Sequence, residues 1–186
     1  MRFLVRLACT GAPGQAFLRA MKALAASVGV DARNPKWTSY GALELDVFSP
    51  TREDFDLFLA ATGPMARVEF ATDLSKPQPY MPDDEILSKA RELFNAERYW
   101  ECHEILESLW RQKQGDEKSL LQGIILVCAA FVHHQKGEEE VAFSVLGRGL
   151  RQLGHRSGRY GVIDAGRMRE RVEEILAQKK FHEFSV

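Results

Sequence analysis

Residues 101–110 read Glu101-Cys102-His103-Glu104-Ile105-Leu106-Glu107-Ser108-Leu109-Trp110, and an apolar run from Leu120 to Val132 follows, closed by His133-His134. Ile105, Leu106 and Leu109 recur at helical spacing, so the first stretch predicts an amphipathic helix. His103 and Glu107 stand four residues apart and share one face of it. His103, Leu106, Glu107 and Trp110 form one stripe. The second stretch is apolar almost all round, broken by Gln122 and Gly123, which predicts the central helix of a bundle. An imidazole, a carboxylate and an indole on a largely inward stripe are costly to bury without partners, so they either bond one another and a second helix or bind something.

The same grammar runs outward through the second half. Asp83-Asp84-Glu85 puts acid where a helix start favours it. Helices are expected at about residues 83–95, 98–114, 116–136, 138–153 and 164–180, with Asp116 as an N-cap and Lys136-Gly137 as a stop. The glutamates at 138–140 read as another helix start. Short connections imply antiparallel neighbours. No further strand is expected after Pro82, and Gly154–Gly161 reads as a polar, glycine-rich loop.

Before residue 75 the pattern alternates. Phe3, Val5 and Leu7 oppose Arg2, Leu4 and Arg6, a strand signature. Phe17, Leu18, Met21, Leu24, Ala25 and Val28 recur at helical spacing after Pro13. Leu43, Leu45 and Val47 oppose Glu44, Asp46 and Phe48. Thr51 followed by Asp54 opens a second helix as a weak capping box. Ala66–Ala71 gives another strand, with Val68 and Phe70 facing one way. Between Val30 and Tyr40 lies either a further strand or a long loop; a strand there yields β-α-β-β-α-β, the split ferredoxin-like plan. Pro77, Pro79 and Pro82 disfavour helix and mark a linker. The expected organisation is therefore α+β: a ferredoxin-like domain over residues 1–75, a Pro-rich linker over 76–82, and a helical bundle over 83–186.

Composition narrows the functional classes. The chain has 186 residues, 45% of them hydrophobic, enough for real cores. A net charge of -1 supplies no global field to recruit nucleic acid or an anionic membrane. The longest apolar run is far short of a membrane span, and the N-terminal apolar stretch is too short for a secretion signal. Cys9, Cys102 and Cys128 are odd in number and widely spaced, which reads as cytoplasmic thiols buried as small apolar groups.

Two constellations are candidates for chemistry. In an antiparallel pair of helices, the end of the second lies beside the start of the first, which brings His133 toward His103. His103, Glu107 and His133 then offer two imidazoles and a carboxylate, a set that suits zinc, manganese or iron with a position left open for water. The same groups without metal suit acid–base chemistry, and as a closed polar network they suit only the fixing of helix register. Trp110 reads as core, and Gln122 completes the polar cluster. The second constellation is Arg148, Arg151, Arg156 and Arg159 among interleaved glycines, a candidate for phosphate or RNA. Leu146, Leu150 and Leu153 share that helix, so the arginines also read as its wet face.

The run Phe94-Asn95-Ala96-Glu97-Arg98-Tyr99-Trp100-Glu101-Cys102-His103-Glu104-Ile105-Leu106-Glu107-Ser108-Leu109-Trp110-Arg111, with Leu121-Gln122-Gly123-Ile124-Ile125 through His133 and Gly137, resembles the domain of unknown function 309 family over about residues 85–165. The resemblance implies a small all-helical domain without an established activity. The pattern matches at Phe94, Asn95, His103, Glu107, Trp110, Gln122, Gly123 and His133. Cys102 stands where the family usually has a small residue such as alanine, and His134 adds a second imidazole. The functional reading is a binding or scaffold module with a His/Glu/Trp cluster; the alternatives are a metal-assisted hydrolase and an RNA or phosphate binder. Self-association is compatible with either.

Overall fold

The computed structural model describes residues 1–9, 14–76, 81–155 and 158–186. Expectations placed on Pro13, on Pro77 and Pro79 of the linker and on Arg156 lie outside those residues. The chain divides into two compact units, Met1–Pro79 and Tyr80–Val186.

The first unit runs β1 (Arg2–Cys9), α1 (Gln15–Ser27), β2 (Asp31–Trp37), β3 (Leu43–Phe48), α2 (Arg52–Thr62) and β4 (Ala66–Asp73). The strands form one sheet in the order β2-β3-β1-β4, and every neighbouring pair is antiparallel. The segment between Val30 and Tyr40 is thus a strand. It accommodates Asn34 and Pro35 as a register shift between Arg33 and Lys36, with Asn34 at φ 50°. Period-two burial holds one face together: Phe3, Val5, Leu7, Leu43, Leu45 and Val47 pack against Leu18, Met21 and Ala25 of α1 and Phe55 and Phe58 of α2. The rings of Phe3 and Phe55 stack at 3.6 Å. Each large side chain buried in this way contributes about 1.5–3 kcal/mol. The Thr51 cap is formed, its Oγ1 accepting from the Asp54 amide at 3.1 Å and donating to Asp54 Oδ2 at 2.7 Å.

One facing expectation is corrected here. Val68 pairs with Leu7 and Phe70 with Arg6, so the two side chains lie on opposite faces. The cause is a bulge: Glu69 is an extra residue in β4, and one inserted residue reverses the alternation beyond it.

The second unit runs α3 (Asp83–Asn95), α4 (Tyr99–Trp110), α5 (Gly115–Gln135), α6 (Glu139–Leu153), the two-residue strands β5 (Arg159–Tyr160) and β6 (Ile163–Asp164), and α7 (Ala165–Gln178). The β5–β6 hairpin was not expected; strands of two residues carry no periodicity to read. The α5 helix starts at Gly115 with Gln114 as its N-cap, so Asp116 sits in the first turn instead of capping it. As expected, α5 is central: Leu121, Ile124, Ile125, Val127, Cys128, Ala130 and Phe131 are all buried. Gly123 and Gly149 let α5 and α6 approach closely. A methyl group on Gly123 would lie 2.8 Å from the Leu153 amide nitrogen, and one on Gly149 3.3 Å from Val127. Among the described residues no helix is long and apolar enough to cross a membrane.

Candidate functional site on the fourth helix

A tight turn delivers the chain from α3 into α4. Glu97 adopts φ 55°, the Arg98 amide donates to Leu93 O at 2.9 Å, and Gln135 of α5 donates to Glu97 O at 3.1 Å. The Arg98 guanidinium then forks onto Glu101, with contacts of 2.6 and 2.5 Å, and ties down the first turn of α4. Tyr99, Cys102, Leu106 and Leu109 turn inward. Trp100, His103, Glu107 and Trp110 fall on the flank of that apolar stripe and are half-buried.

On this flank the rings of Trp100 and His103 stack at 5.7 Å with 12° between their planes. His103 Nε2 lies 3.7 Å from Glu107 Oε1, and Nδ1 lies 3.5 Å from Glu104 Oε1. Both contacts are too long for good hydrogen bonds. Glu107 also accepts from Arg111 Nη2 at 3.0 Å. Lys118 Nζ sits over the Trp110 ring at 4.4 Å. The Trp110 side chain is thus packed but half-exposed, and Glu104 is exposed. Two buried polar atoms here, His103 Nδ1 and Trp110 Nε1, have no hydrogen-bond partner among the described residues.

His133 is not part of this group. Three contacts set the register of the α4–α5 pair: Lys118 over Trp110, Cys128 against Cys102, and Gln135 against Glu97. They put His103 level with Val127, and His133 level with the start of α4, about 6 Å or more along the axis. His133 bonds Glu138 at 2.5 Å instead, and His134 bonds Glu139 at 2.6 Å. The glutamates expected only as a helix start thus also clasp the end of α5. Among the described residues, no group of three or more His, Cys, Asp or Glu side chains is gathered closely enough to hold a metal ion. His103, Glu107 and His133 therefore do not make a three-ligand centre for zinc, manganese or iron. Gln122 is half-buried on α5.

Arg148 and Arg151 are exposed on α6, and exposed Arg159 donates to Val162 O at 3.4 Å across the β5–β6 hairpin.

Sequence reasoning missed two features. The first is the pairing of Cys102 with Cys128: both are buried, with the Cys128 Sγ 3.4 Å from the Cys102 Sγ, which itself donates to Ala90 O at 3.2 Å. Burial, then the neighbouring Cys128, pushes the Cys102 thiol well above its usual range. The reactive form is the thiolate. Iodoacetamide at pH 8 should therefore label Cys9 first in the folded protein and reach Cys102 only after denaturation. Peptide mass spectrometry reads this, and equal labelling of Cys9 and Cys102 in native buffer would contradict it.

The second is a charged cluster on the sheet face opposite α1 and α2. Arg6 Nη2 and Lys36 Nζ reach the two oxygens of Glu44 at 2.9 and 2.8 Å, with all three side chains only 3% exposed. Arg6 Nη1 also donates to Tyr40 Oη at 2.8 Å, and its guanidinium lies 5.2 Å from the Phe70 ring centre. Beside them Asp46 accepts from Arg2 at 3.1 Å and Asn34 at 2.9 Å. The signal was present: Arg6 and Glu44 occupy the same alternation phase of two strands that pair directly.

The α3–α6 segment, with its closely packed α5–α6 pair, is also where a known sequence family matches. Residues 87–145 match the model of a domain of unknown function, DUF309. The match is narrower than the resemblance over 85–165 and ends inside α6, short of the β5–β6 hairpin. Relatives of the chain include an uncharacterised protein of Aquifex aeolicus (strain VF5), 26% identical over 97 residues, which are 52% of this chain and 29% of that protein. The uncharacterised protein YpuF of Bacillus subtilis (strain 168) is 32% identical over 89 residues, 46% of this chain and 51% of YpuF. The chain thus spans about half or less of the length of these relatives. A crystal structure of a conserved hypothetical protein from Thermus thermophilus is 28% identical with a TM-score of 0.45, covering 53% of this chain and 99% of that one.

Proposed function

We propose that the chain is a non-catalytic binding module of two domains, a ferredoxin-like N-terminal domain and a DUF309 helical bundle, whose partner meets the Trp100–Trp110 flank of α4. The sheet order β2-β3-β1-β4 with two helices on one face supports the ferredoxin-like reading. One observation carries the binding reading: His103 Nδ1 and Trp110 Nε1 lack hydrogen-bond partners among the described residues. Buried polar atoms of folded proteins are nearly always satisfied, and an indole N–H that is otherwise packed usually finds an acceptor. Both atoms are themselves covered but belong to half-buried side chains at the protein's surface, so rotation of either side chain turns its polar atom toward a docking partner. The cation over Trp110 and the Glu107–Arg111 pair give the surround a mixed polar and aromatic character, as in the centre and rim of protein interfaces. A metal-assisted hydrolase is disfavoured because the described residues gather no group of three or more His, Cys, Asp or Glu side chains closely enough for a metal ion.

The test is a photo-crosslinking amino acid at exposed position 104, compared with one at exposed position 140 on α6. The expected result is one discrete adduct from position 104, absent from position 140 and lost when Trp110→Ala is added to a chain that still melts cooperatively. An adduct that survives Trp110→Ala would mean that the flank is not the contact surface.

A further inference from the structure

Three helices meet at two sulfur atoms. Cys102 projects from α4 and Cys128 from α5, and the two residues are 1% and 0% exposed. The Cys128 thiol donates to Cys102 Sγ at 3.4 Å, and the Cys102 thiol donates to Ala90 O of α3 at 3.2 Å. A hydrogen-bonded chain therefore runs from α5 through α4 to α3. Packing alone asks of each position only a small apolar group. Contact between the two sulfurs adds a reaction that neither has singly. Cys9 differs: it is half-buried in the first unit, and its thiol donates to Leu7 O at 3.7 Å.

We infer that Cys102 and Cys128 are an oxidation site for hydrogen peroxide, and that the disulfide they form fastens α4 to α5. In the first step one sulfur, as its thiolate, attacks a peroxide oxygen. The O–O bond breaks, and the other oxygen takes up the released proton and leaves as water, giving a sulfenic acid. The neighbouring sulfur then attacks the oxidised one, the S–O bond breaks, and a second water leaves. Two thiols and one peroxide give one disulfide and two waters; the sulfurs are oxidised and the peroxide oxygens reduced. Closing from 3.4 Å to an S–S bond of about 2.0 Å moves each sulfur by about 0.7 Å. Because the partner thiol is already in contact, the sulfenic acid meets it without diffusion, ahead of a second peroxide. Burial keeps the Cys102 thiol protonated, which slows the first step and ties it to brief openings of the α4–α5 packing. Peroxide needs a smaller opening than iodoacetamide does, so the pair answers sustained oxidant while resisting bulky alkylation. The bond joins positions 26 residues apart and suppresses the local opening of α4. This assignment stands whether or not a partner docks on the α4 flank.

The test uses the full-length Cys9→Ser chain, in which the pair holds the remaining thiols. It is kept in native buffer with excess hydrogen peroxide, then denatured, alkylated and digested without reductant. Mass spectrometry should find the peptides of Cys102 and Cys128 joined within one chain, two hydrogens lighter than their sum and separated by dithiothreitol. Amides of α4 should exchange at least about tenfold more slowly in the oxidised chain than in the reduced one. The Cys9→Ser/Cys128→Ser chain should show no such slowing. Exposed Met1 reports that the peroxide was active. Met1 oxidised while both thiols remain free for alkylation overturns the inference. So does sulfinic acid in place of the crosslink, or a crosslink that forms only between two copies or only in urea. A crosslink within one chain that leaves α4 exchange unchanged overturns the fastening role. If Cys9→Ser does not fold, the wild type gives the same readings with its linked peptides mapped, and linkage through Cys9 overturns the assignment.

Discussion

Glu44→Ala is expected to destabilise the N-terminal unit by about 3–5 kcal/mol, the usual cost of removing one partner from a buried ion cluster. Glu44 is the counter-ion of both Arg6 and Lys36, and all three side chains are 3% exposed. Without it two like charges remain buried side by side. Arginine keeps its proton at any ordinary pH, so the cluster has no cheap route to neutrality through Arg6. Glu44→Gln should fall between the wild type and alanine, since it keeps the shape and the acceptor oxygen but loses the charge. Replacing Arg6, Glu44 and Lys36 together by apolar residues of similar volume should cost far less than Glu44→Ala alone, because nothing charged is then left unpaired. Urea denaturation followed by a probe in the first unit reads all three. A loss below about 1 kcal/mol for Glu44→Ala would mean that water reaches the cations and that the cluster behaves as a surface pair.

Gly123→Ala should destabilise the helical unit by about 1–3 kcal/mol, the range for overpacking, even though alanine is the better helix former by about 1 kcal/mol. The sign follows from what the new methyl group meets: the Leu153 amide nitrogen at 2.8 Å and two Leu153 side-chain carbons at 2.9 Å. A flexible side-chain tip can swing away, but a backbone nitrogen on a packed helix moves only with the helix. The control lies on α6. A methyl group on Gly147 would meet only Arg151 Nη1, at 4.0 Å, so Gly147→Ala should stabilise by about 0.5–1 kcal/mol through propensity alone. Paired thermal melts of the two variants separate close packing from propensity. Gly123→Ala and Gly147→Ala shifting the melting temperature in the same direction would show that the α5–α6 contact is looser than described. The pair also gives a physical reason for glycine in the Gln122-Gly123-Ile124-Ile125 stretch that the DUF309 resemblance rests on, independent of any ligand.

What the sequence made legible was whatever repeats with a short period. The helix bounds of the second unit follow from apolar spacing and from glycine and acid punctuation, and the alternation in β1 and β3 identifies their inward faces. The α4 flank was legible too, because residues 103, 107 and 110 share one helix. What was not legible depends on an inserted residue or on register between elements. The bulge at Glu69 reverses Phe70 without changing the composition of β4. The meeting of His103 with His133 was inferred from loop length alone. Loop length says that the helices are antiparallel but not which residues lie level, and the Cys102–Cys128 contact sets a level that keeps the imidazoles apart. The Arg6–Glu44–Lys36 cluster needs the strand pairing before its charges can be matched.

Both rims of the four-stranded sheet are interrupted, β2 by Asn34 and Pro35 and β4 by its inserted Glu69. An uninterrupted rim offers a row of free amides and carbonyls on which a neighbouring molecule can add a strand. Here neither rim presents such a row in register over its full length. Concentrated solutions of the chain should accordingly resist ribbon-like growth through this sheet, and straightening β4 by deleting Glu69 should be the simplest way to provoke it.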